Sequence, residues 1–532
     1  MDSTNRSKAP QPWRAGWGRM AAALLLFAAG YAAANRFQLT HAILYRWAAG
    51  DRASAIAAFL FMAFQGAVFL AALLLFPRRW ATALLALAGA SVLVNIGYSQ
   101  IVGSLLDDGS FAWMIGEARQ AGHAAGQFGD QFLWVGAQVA AALALFVAAR
   151  AIARGGGRLP WGKGIAAGLL ALLIFPSILY RTFEVRPESA ERSVYGLGWD
   201  LLRAPPPPPR DPIDMAPDPD AKAPRHIVWL VDESVAEAPF ARLIAPGLAG
   251  MPHVDFGTAA ALGNCSAPAQ VALRSGVDVR RVTAASDLRR TPSIWAYARA
   301  AGYRTMLIDG QATGAPQNLM LPPERALIDD YRSMVGGIDT DLQIADTLNA
   351  QMKRAGKSFT YVVLQGVHFQ YRDHYPAGAI PADSPVGLQY DTALRWSKGR
   401  FFDHLLAGVD REAVAIVYTS DHGQNLTPGR LPHCSPEAVT DEFRVPLIAF
   451  LPTGEAARYA AAPKTGHSAS QIFPAMLGWM GYDRAKAAAR YDRDLDRPTA
   501  RYVWFGRTVV PVTAGGDIEL TAGPAFPGAA RR

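Results

Sequence analysis

The sequence predicts two parts: an N-terminal bundle of about five transmembrane helices, and an exported α/β domain with a doubly wound, mostly parallel sheet. Three observations lead to this fold class. Apolar residues are concentrated in the first third of the 532-residue chain, a proline-rich stretch follows, and strand and helix patterns alternate from Arg225 onward. We therefore expect a transmembrane domain over residues 1–180, a linker over 181–224 and a catalytic domain over 225–532.

Five segments in the first part are long and apolar enough to cross a bilayer core, which takes roughly 20 residues. They are Trp17–Ala34, Ala53–Phe76, Ala81–Val102, Phe132–Ile152 and Ile165–Tyr180. Basic residues precede the first segment and separate the second from the third and the fourth from the fifth. The positive-inside rule then places the N-terminus in the cytoplasm and everything after Tyr180 outside, which in a bacterial cell means an inner-membrane protein with a periplasmic domain.

A secretory signal peptide is an alternative interpretation of the first segment. Basic residues precede an apolar core that ends in Ala32-Ala-Ala-Asn35, which is typical of such peptides. Its removal leaves four spans and the same exported domain. We favour an uncleaved helix, because four further spans need no cleavage to explain them.

The linker contains the run Ala204-Pro-Pro-Pro-Pro-Pro-Arg210 and continues with more proline and aspartate to Pro224. Such a composition does not pack a core and is typical of an extended, stiff spacer. We therefore predict a tether between the two parts.

Beyond the linker, short apolar runs alternate with helical patterns, as expected of a doubly wound sheet. The predicted strands are Ile227–Val231, Tyr303–Ile308, Phe359–Leu364, Ala413–Tyr418 and Leu447–Phe450, with a late strand or hairpin over Tyr502–Val512. The predicted helices are Thr291–Ala301, Asp341–Lys353, Gln389–Leu406 and Gln471–Trp479. Ligands at the ends of parallel strands gather at one edge of such a sheet.

The segment Tyr418-Thr-Ser-Asp-His-Gly-Gln424 carries the strongest chemical signal. A buried-type strand delivers Asp421 and His422 into a turn at Gly423, and carboxylate and imidazole are ligands suited to zinc or manganese. A hydrogen-bonded surface turn is the plainer explanation of an Asp-His pair. We favour half of a metal site, because complementary residues occur upstream.

Those upstream residues lie at the end of another apolar strand and in the loop that follows. Asp232 and Glu233 end the strand, and Glu233 is the favoured ligand with Asp232 in reserve. Ser266 begins a predicted helix, where backbone N–H groups and the helix dipole favour a phosphate or sulfate. Ser266 is therefore the candidate nucleophile, although serine is also common as a helix N-cap.

The order of strand-Glu, Ser loop, Ser-Asp-His-Gly and a late His resembles the alkaline phosphatase/sulfatase superfamily, specifically its membrane-bound phosphoethanolamine transferases. The resemblance implies that Glu233, Ser266, Asp421 and His422 bind one catalytic Zn²⁺ or Mn²⁺. Gly366-Val-His-Phe-Gln-Tyr-Arg-Asp-His-Tyr-Pro376 and Arg430-Leu-Pro-His-Cys434 resemble two further family segments. They imply catalytic roles for His368 and His433, either at phosphoryl oxygens, at the leaving group or at a second metal.

The chain departs from this family pattern at several positions. Gln424 stands where the family has Glu, Phe369 and Gln370 where it has Gly-Pro, and Ser266 where Thr is commoner. In the sulfatase signature Ser266 takes the Cys position and Gln270 the Arg position, which favours phosphoryl over sulfuryl transfer. These departures affect the prediction of which acceptor the protein uses and which group it transfers.

The expected function is transfer of phosphoethanolamine from phosphatidylethanolamine to lipid A or an envelope glycan through a phospho-Ser266 intermediate. Alternatives are a glycerol-phosphate transferase of the lipoteichoic acid synthase type, a sulfatase- or phosphatase-like hydrolase, and an inactive protein that keeps the fold. We expect an integral membrane monomer that meets a phospholipid donor. The net charge of +8 resides largely in loop arginines, and no nucleic-acid module is visible.

The chain contains two cysteines, Cys265 and Cys434, each next to a proposed site residue. A disulfide between them is one expectation for an exported domain, and two unpaired thiols are the other.

Overall fold

The computed structural model of the protein describes residues 12–48, 50–102, 105–116, 129–154, 188–282, 286–428, 430–434, 439–505 and 508–511. The chain forms two compact units, Met1–Pro205 and Pro206–Arg532. The division falls inside the predicted linker.

The described part of the first unit is helical. Its helices are Pro12–Ala34, Arg36–Gln38, Leu39–Leu44 (a π-helix), Tyr45–Ala48, Arg52–Leu75, Arg78–Val102, Asp108–Gly116, Gly129–Arg154 and Ser193–Arg203. Among the residues that the structure describes, four stretches are long and apolar enough to cross a membrane: Trp17–Ala34, Arg52–Leu75, Arg78–Gln100 and Gln131–Arg154. They match the first four predicted spans, and the fifth, Ile165–Tyr180, lies outside the described residues.

The described part of the second unit contains an eight-stranded sheet and a two-stranded one. The strands are β1 His226–Asp232, β2 Val254–Ala260, β3 Arg304–Asp309, β4 Asp330–Ser333, β5 Ser358–Val363, β6 Val414–Ser420, β7 Arg444–Phe450, β8 His467–Ser468, β9 Tyr502–Phe505 and β10 Thr508–Pro511. The large sheet has the order β4-β3-β5-β1-β6-β7-β2-β8. Only β7 in this sheet runs against the other strands, so the predicted mostly parallel sheet is confirmed.

Helices cover both faces of this sheet. They are Glu237–Leu243, Ser266–Ser275, Ile294–Ala300, Pro322–Arg325, Thr340–Met352, Val386–Lys398, Phe401–Leu406, Thr453–Arg458, Ile472–Trp479 and Arg484–Arg490. In β1, Trp229 packs in one hydrophobic core while its neighbours Val228 and Leu230 pack in the other. Because successive side chains point to opposite faces, a strand buried on both sides is apolar throughout.

One prediction about local structure is corrected. The segment predicted as one helix, Gln389–Leu406, forms two helices, because the first ends at Lys398 before Gly399. Within the predicted linker, the stretch from Pro206 to Pro224 lacks helix and strand. Arg210 donates to Glu324, and Tyr303 OH donates to the carbonyl of Pro224 at 2.7 Å, so this stretch lies along the second unit.

Candidate active site

The three adjacent strands β5, β1 and β6 end at the same edge of the sheet, and a predicted site residue follows each of them. Glu233 follows β1, His368 lies in the loop after β5, and Asp421 and His422 follow β6. Since parallel strands present their carboxyl ends together, residues far apart in sequence meet here.

Ser266 lies at this edge as the first residue of the helix Ser266–Ser275. Its Oγ is 3.2 Å and 3.1 Å from the two carboxylate oxygens of Glu233, and 3.2 Å from Nε2 of His422. The residue as a whole is half-buried. The structure therefore brings an alcohol, a carboxylate and an imidazole into mutual contact at a helix N-terminus, where N–H groups favour an anion.

Asp421 completes this group. Its Oδ1 accepts the backbone N–H groups of Ser234 at 3.2 Å and His422 at 2.7 Å, while its Oδ2 lies 3.7 Å from Nε2 of His422. Among the described residues, Oδ2 is buried without a hydrogen-bond partner. Nδ1 of His422 donates to the carbonyl of Gly423 at 2.8 Å, which leaves Nε2 of the neutral ring free to bind a cation.

The two other predicted histidines lie next to this group. The ring of His433 is 4.6 Å from that of His422 and 5.6 Å from that of His368, measured between centroids. Cys265 and Cys434 form a disulfide, which ties the residue before Ser266 to the residue after His433. Of the two expectations for these cysteines, a disulfide or two unpaired thiols, the structure shows the disulfide.

The electrostatics of this cluster are unbalanced. Burial opposes the carboxylate of Glu233, but its hydrogen bond with His422 holds its pKa well below the usual range. Burial and the neighbouring Glu233 raise the pKa of Asp421 well above its ordinary value. Burial opposes the imidazolium of His422, yet Asp421 and Glu233 raise its pKa to about 10. Two buried carboxylates thus compete for one positive partner, and a divalent cation would stabilise both.

The residues present fit a metal ion. Glu233, His422 and His433 each offer a ligand atom, and these atoms all lie within 4.8 Å of one another. The unpartnered oxygen of Asp421 and the hydroxyl of Ser266 add oxygen donors beside them. Oxygen and imidazole nitrogen donors suit zinc or manganese.

Asp232, the reserve ligand, is directed elsewhere. Its Oδ2 lies 3.2 Å from Nζ of Lys398 and accepts the hydroxyl of Tyr418. Gln270, at the position of the sulfatase arginine, is also away from this group, since its Oε1 accepts the hydroxyl of Tyr361 at 2.7 Å in the core.

A family model matches part of the second unit. Residues 272–482 match the family model described as Sulfatase. The chain carries a sulfatase-family domain. The predicted resemblance to the alkaline phosphatase/sulfatase superfamily is thereby confirmed. A search of curated proteins by sequence finds no match.

This chain is similar in fold to a solved integral membrane protein, and a solved C-terminal domain matches the later part of the chain. The integral membrane lipooligosaccharide phosphoethanolamine transferase A (EptA) from Neisseria meningitidis is 14% identical, with a TM-score of 0.51 over 90% of this chain and 97% of that chain. The C-terminal periplasmic domain of EcEptC from Escherichia coli, in complex with Zn, is 16% identical, with a TM-score of 0.47 over 57% of this chain and 96% of that chain.

Two residues of the second unit support the site but were not predicted to do so. Ser234 has a positive φ of 63° and donates its hydroxyl to Oε1 of Glu233 at 2.8 Å. Gln311 follows β3 and donates to Oε2 of Glu233 at 3.1 Å. Ser234 directly follows a proposed ligand, which was a usable signal. Gln311 follows a strand end like the other site residues, but its side chain alone does not indicate metal chemistry.

Gly423 leads to a prediction about how His422 is held. A Cβ at this position would lie 1.8 Å from the carbonyl oxygen of Asp441, so Gly423→Ala must move the backbone that carries His422. We expect a loss of stability of about 1–3 kcal/mol, as for other overpacked sites, together with weaker zinc binding. Thermal melting and zinc titration measure both. Gly454→Ala is the control, because space there is open; equal behaviour of the two variants would contradict the prediction.

Glu442 leads to a prediction about pH. Burial raises the pKa of this carboxyl from 4.5 to about 7, although Asn264 donates to it at 3.0 Å. The folded domain therefore binds this proton more tightly than the unfolded chain, so its stabilising effect is complete below pH 4.5 and is lost as pH rises through about 7. Glu442→Gln removes this dependence. We expect the melting temperature of the variant to rise relative to wild type between these pH values, and parallel pH profiles would refute the assignment.

Proposed function

We propose that the protein transfers phosphoethanolamine from phosphatidylethanolamine to an envelope acceptor, lipid A or a glycan, through a phosphoserine at Ser266. The observation that carries this proposal is the contact of Ser266 Oγ with Glu233 and with Nε2 of His422. An unpartnered oxygen of Asp421 lies beside it. The choice of phosphoethanolamine as the transferred group follows the family resemblance and the described activity of the proteins of similar fold.

Glu233, Ser266, Asp421 and His422 would hold one Zn²⁺ or Mn²⁺. When bound, such an ion supplies Lewis acidity, which lowers the pKa of a coordinated hydroxyl and neutralises phosphoryl oxygens. Ser234 and Gln311 keep the Glu233 carboxylate oriented, since each donates to one of its oxygens. The Gly423 carbonyl fixes the His422 ring.

The steps in which bonds form and break involve Ser266 and the neighbouring histidines His368 and His433. Oγ of Ser266 attacks phosphorus, the bond to the diacylglycerol oxygen breaks, and the hydroxyl proton of Ser266 is lost to solvent. The N–H groups that begin the helix Ser266–Ser275 favour the phosphoryl oxygens. His368 and His433 are the groups available to bind those oxygens or to protonate the leaving alkoxide. An acceptor hydroxyl or phosphate then takes the group from Ser266.

The proposed setting is the bacterial inner membrane, with the sulfatase-family domain in the periplasm. The apolar helices and the distribution of basic residues between them support this orientation. A phospholipid donor would then reach the enzyme within the membrane that holds it. We further propose that the protein acts as a monomer.

The test is incubation of the full-length protein with labelled phosphatidylethanolamine or phosphatidylglycerol, followed by mass measurement of the peptide that contains Ser266. A phosphoethanolamine adduct on Ser266 is expected. A glycerol-phosphate adduct would instead establish the lipoteichoic acid synthase type of chemistry. Release of free headgroup without an adduct would indicate a hydrolase, and no reaction with either lipid would indicate an inactive relative.

A further inference from the structure

A buried lysine lies behind the candidate metal centre. Nζ of Lys398 is 3.2 Å from Oδ2 of Asp232 and also contacts Oδ2 of Asp341. Lys398 and Asp232 are fully buried, and Asp341 is 3% exposed. A buried ammonium is costly to desolvate unless its partners are well placed, and burying an ion pair is weak evidence of stability by itself. The cluster therefore requires an explanation other than stability.

Both carboxylates also accept hydrogen bonds from the backbone of segments that carry or lead to proposed site residues. Oδ1 of Asp232 accepts the N–H of Glu233 at 3.0 Å. Asp341 accepts the N–H groups of Gln365 at 2.8 Å and Gly366 at 3.1 Å, in the loop that leads to His368. Lys398 thus links the peptide that carries Glu233 to this loop.

The end of β6 joins the same cluster. Tyr418 donates its hydroxyl to Oδ2 of Asp232, and the N–H of Asp421 donates to the carbonyl of Asp232 at 3.0 Å. The fit is tight, because a Cβ at Gly366 would lie 2.4 Å from the carbonyl oxygen of Glu233 and 2.7 Å from Oδ1 of Asp232. A change in the cluster is therefore transmitted to all three strand ends.

We propose that Lys398 is a positioning residue for the candidate metal centre, acting through Asp232 and Asp341 on Glu233 and on the loop that precedes His368. This inference rests on the proposed function, because it concerns the placement of the groups that would hold the cation. Lys398 itself touches neither the nucleophile nor a proposed ligand side chain in the contacts of the described residues. Its loss is expected to weaken metal binding while the domain stays folded.

The experiment uses the full-length protein in detergent and the double variant Lys398→Met/Asp232→Asn. These changes replace Lys398 and one of its two carboxylate partners by neutral side chains of similar size, while Asp341 is kept. The amide oxygen of the introduced asparagine can still accept the N–H of Glu233. We expect zinc affinity, measured by competition with a chromophoric chelator, to fall by about 10- to 100-fold, the usual effect of losing a group that orients metal ligands. Circular dichroism checks the fold.

Arg484→Met is the matched control, because it removes a cation that is paired with Glu455 and Asp494 in a separate cluster. Its zinc affinity is expected to equal that of wild type. Unchanged zinc affinity in the double variant overturns the inference and leaves the proposed function intact. A wild-type protein that binds no zinc overturns both.

Asp341→Asn provides a second test that leaves Lys398 paired with Asp232, should the double variant not fold. It removes an acceptor for the loop before His368, so kcat for transfer is expected to fall about tenfold with an unchanged KM for the donor. A variant with wild-type kcat contradicts the proposed role.

Discussion

Replacing Ser266 by alanine is expected to lower the rate of transfer from phosphatidylethanolamine by at least about 10⁴-fold, the scale of losing a nucleophile. The reason is chemical, because an alanine side chain has no oxygen to attack phosphorus. The fold should persist, since Ser266 is half-buried and its hydrogen bonds are to site residues. The measurement is the initial rate of labelled headgroup transfer by the full-length protein.

Ser275→Ala is the control for this prediction. Ser275 lies at the other end of the same helix, where its hydroxyl bonds the carbonyl of Val271 at 2.6 Å. Its removal should leave the rate within a few-fold of wild type. Transfer by Ser266→Ala at more than a hundredth of the wild-type rate would exclude Ser266 as the nucleophile.

Replacing Asp421 by asparagine is expected to have opposite effects on stability and on zinc binding. Without metal, burial and Glu233 make the Asp421 carboxylate unfavourable, as its raised pKa indicates. The asparagine side chain keeps an oxygen for the N–H groups of Ser234 and His422 and removes the repulsion with Glu233. The metal-free variant should therefore melt above wild type, while zinc affinity falls by more than about 100-fold, because outer partners of ligands alone cost about 10- to 100-fold.

Melting curves with and without zinc test both effects together. Zinc should raise the melting temperature of wild type by mass action and raise that of Asp421→Asn much less. Asp391→Asn is the control, since it removes a carboxylate that pairs with Arg242 at the surface. A variant that zinc stabilises as strongly as wild type would show that Asp421 is not a ligand.

The central strands could be predicted from sequence because both faces of the sheet are covered. β1, β5 and β6 are buried along their whole length. β1 and β6 are largely apolar runs that end at a polar residue, whereas β5 also contains Ser358 and Thr360 and ends at Val363. The positions of Glu233 and of the Asp421-His422 pair at one edge follow from this pattern together with parallel pairing. Their roles as ligands stay predictions.

Other strands gave no such signal. β2 is only partly buried, and Gly257 within it has a positive φ of 69° where the pairing with β7 shifts register. β8 contains two residues, too few for any periodicity. Their places in the sheet depend on tertiary contacts that the local pattern does not encode.

The charged cluster around Lys398 could not be predicted from the sequence either. A lysine at the C-terminal end of a helix is usually solvated, and its charge interacts favourably with the helix dipole. Only the folded structure shows that two aspartates surround Lys398. For the same reason the sequence leaves Asp232 as an alternative metal ligand, whereas the structure pairs its carboxylate with Lys398. Burial of charge arises from the meeting of distant segments and cannot be assigned from either segment alone.

Anomalous X-ray diffraction from crystals of the full-length protein grown with zinc tests the central claim most directly. We predict one strong zinc peak in contact with Glu233, Ser266, Asp421 and His422, at about 2.0–2.2 Å from their oxygen and nitrogen atoms. A zinc peak bound elsewhere, with these four side chains free of metal, would contradict the account.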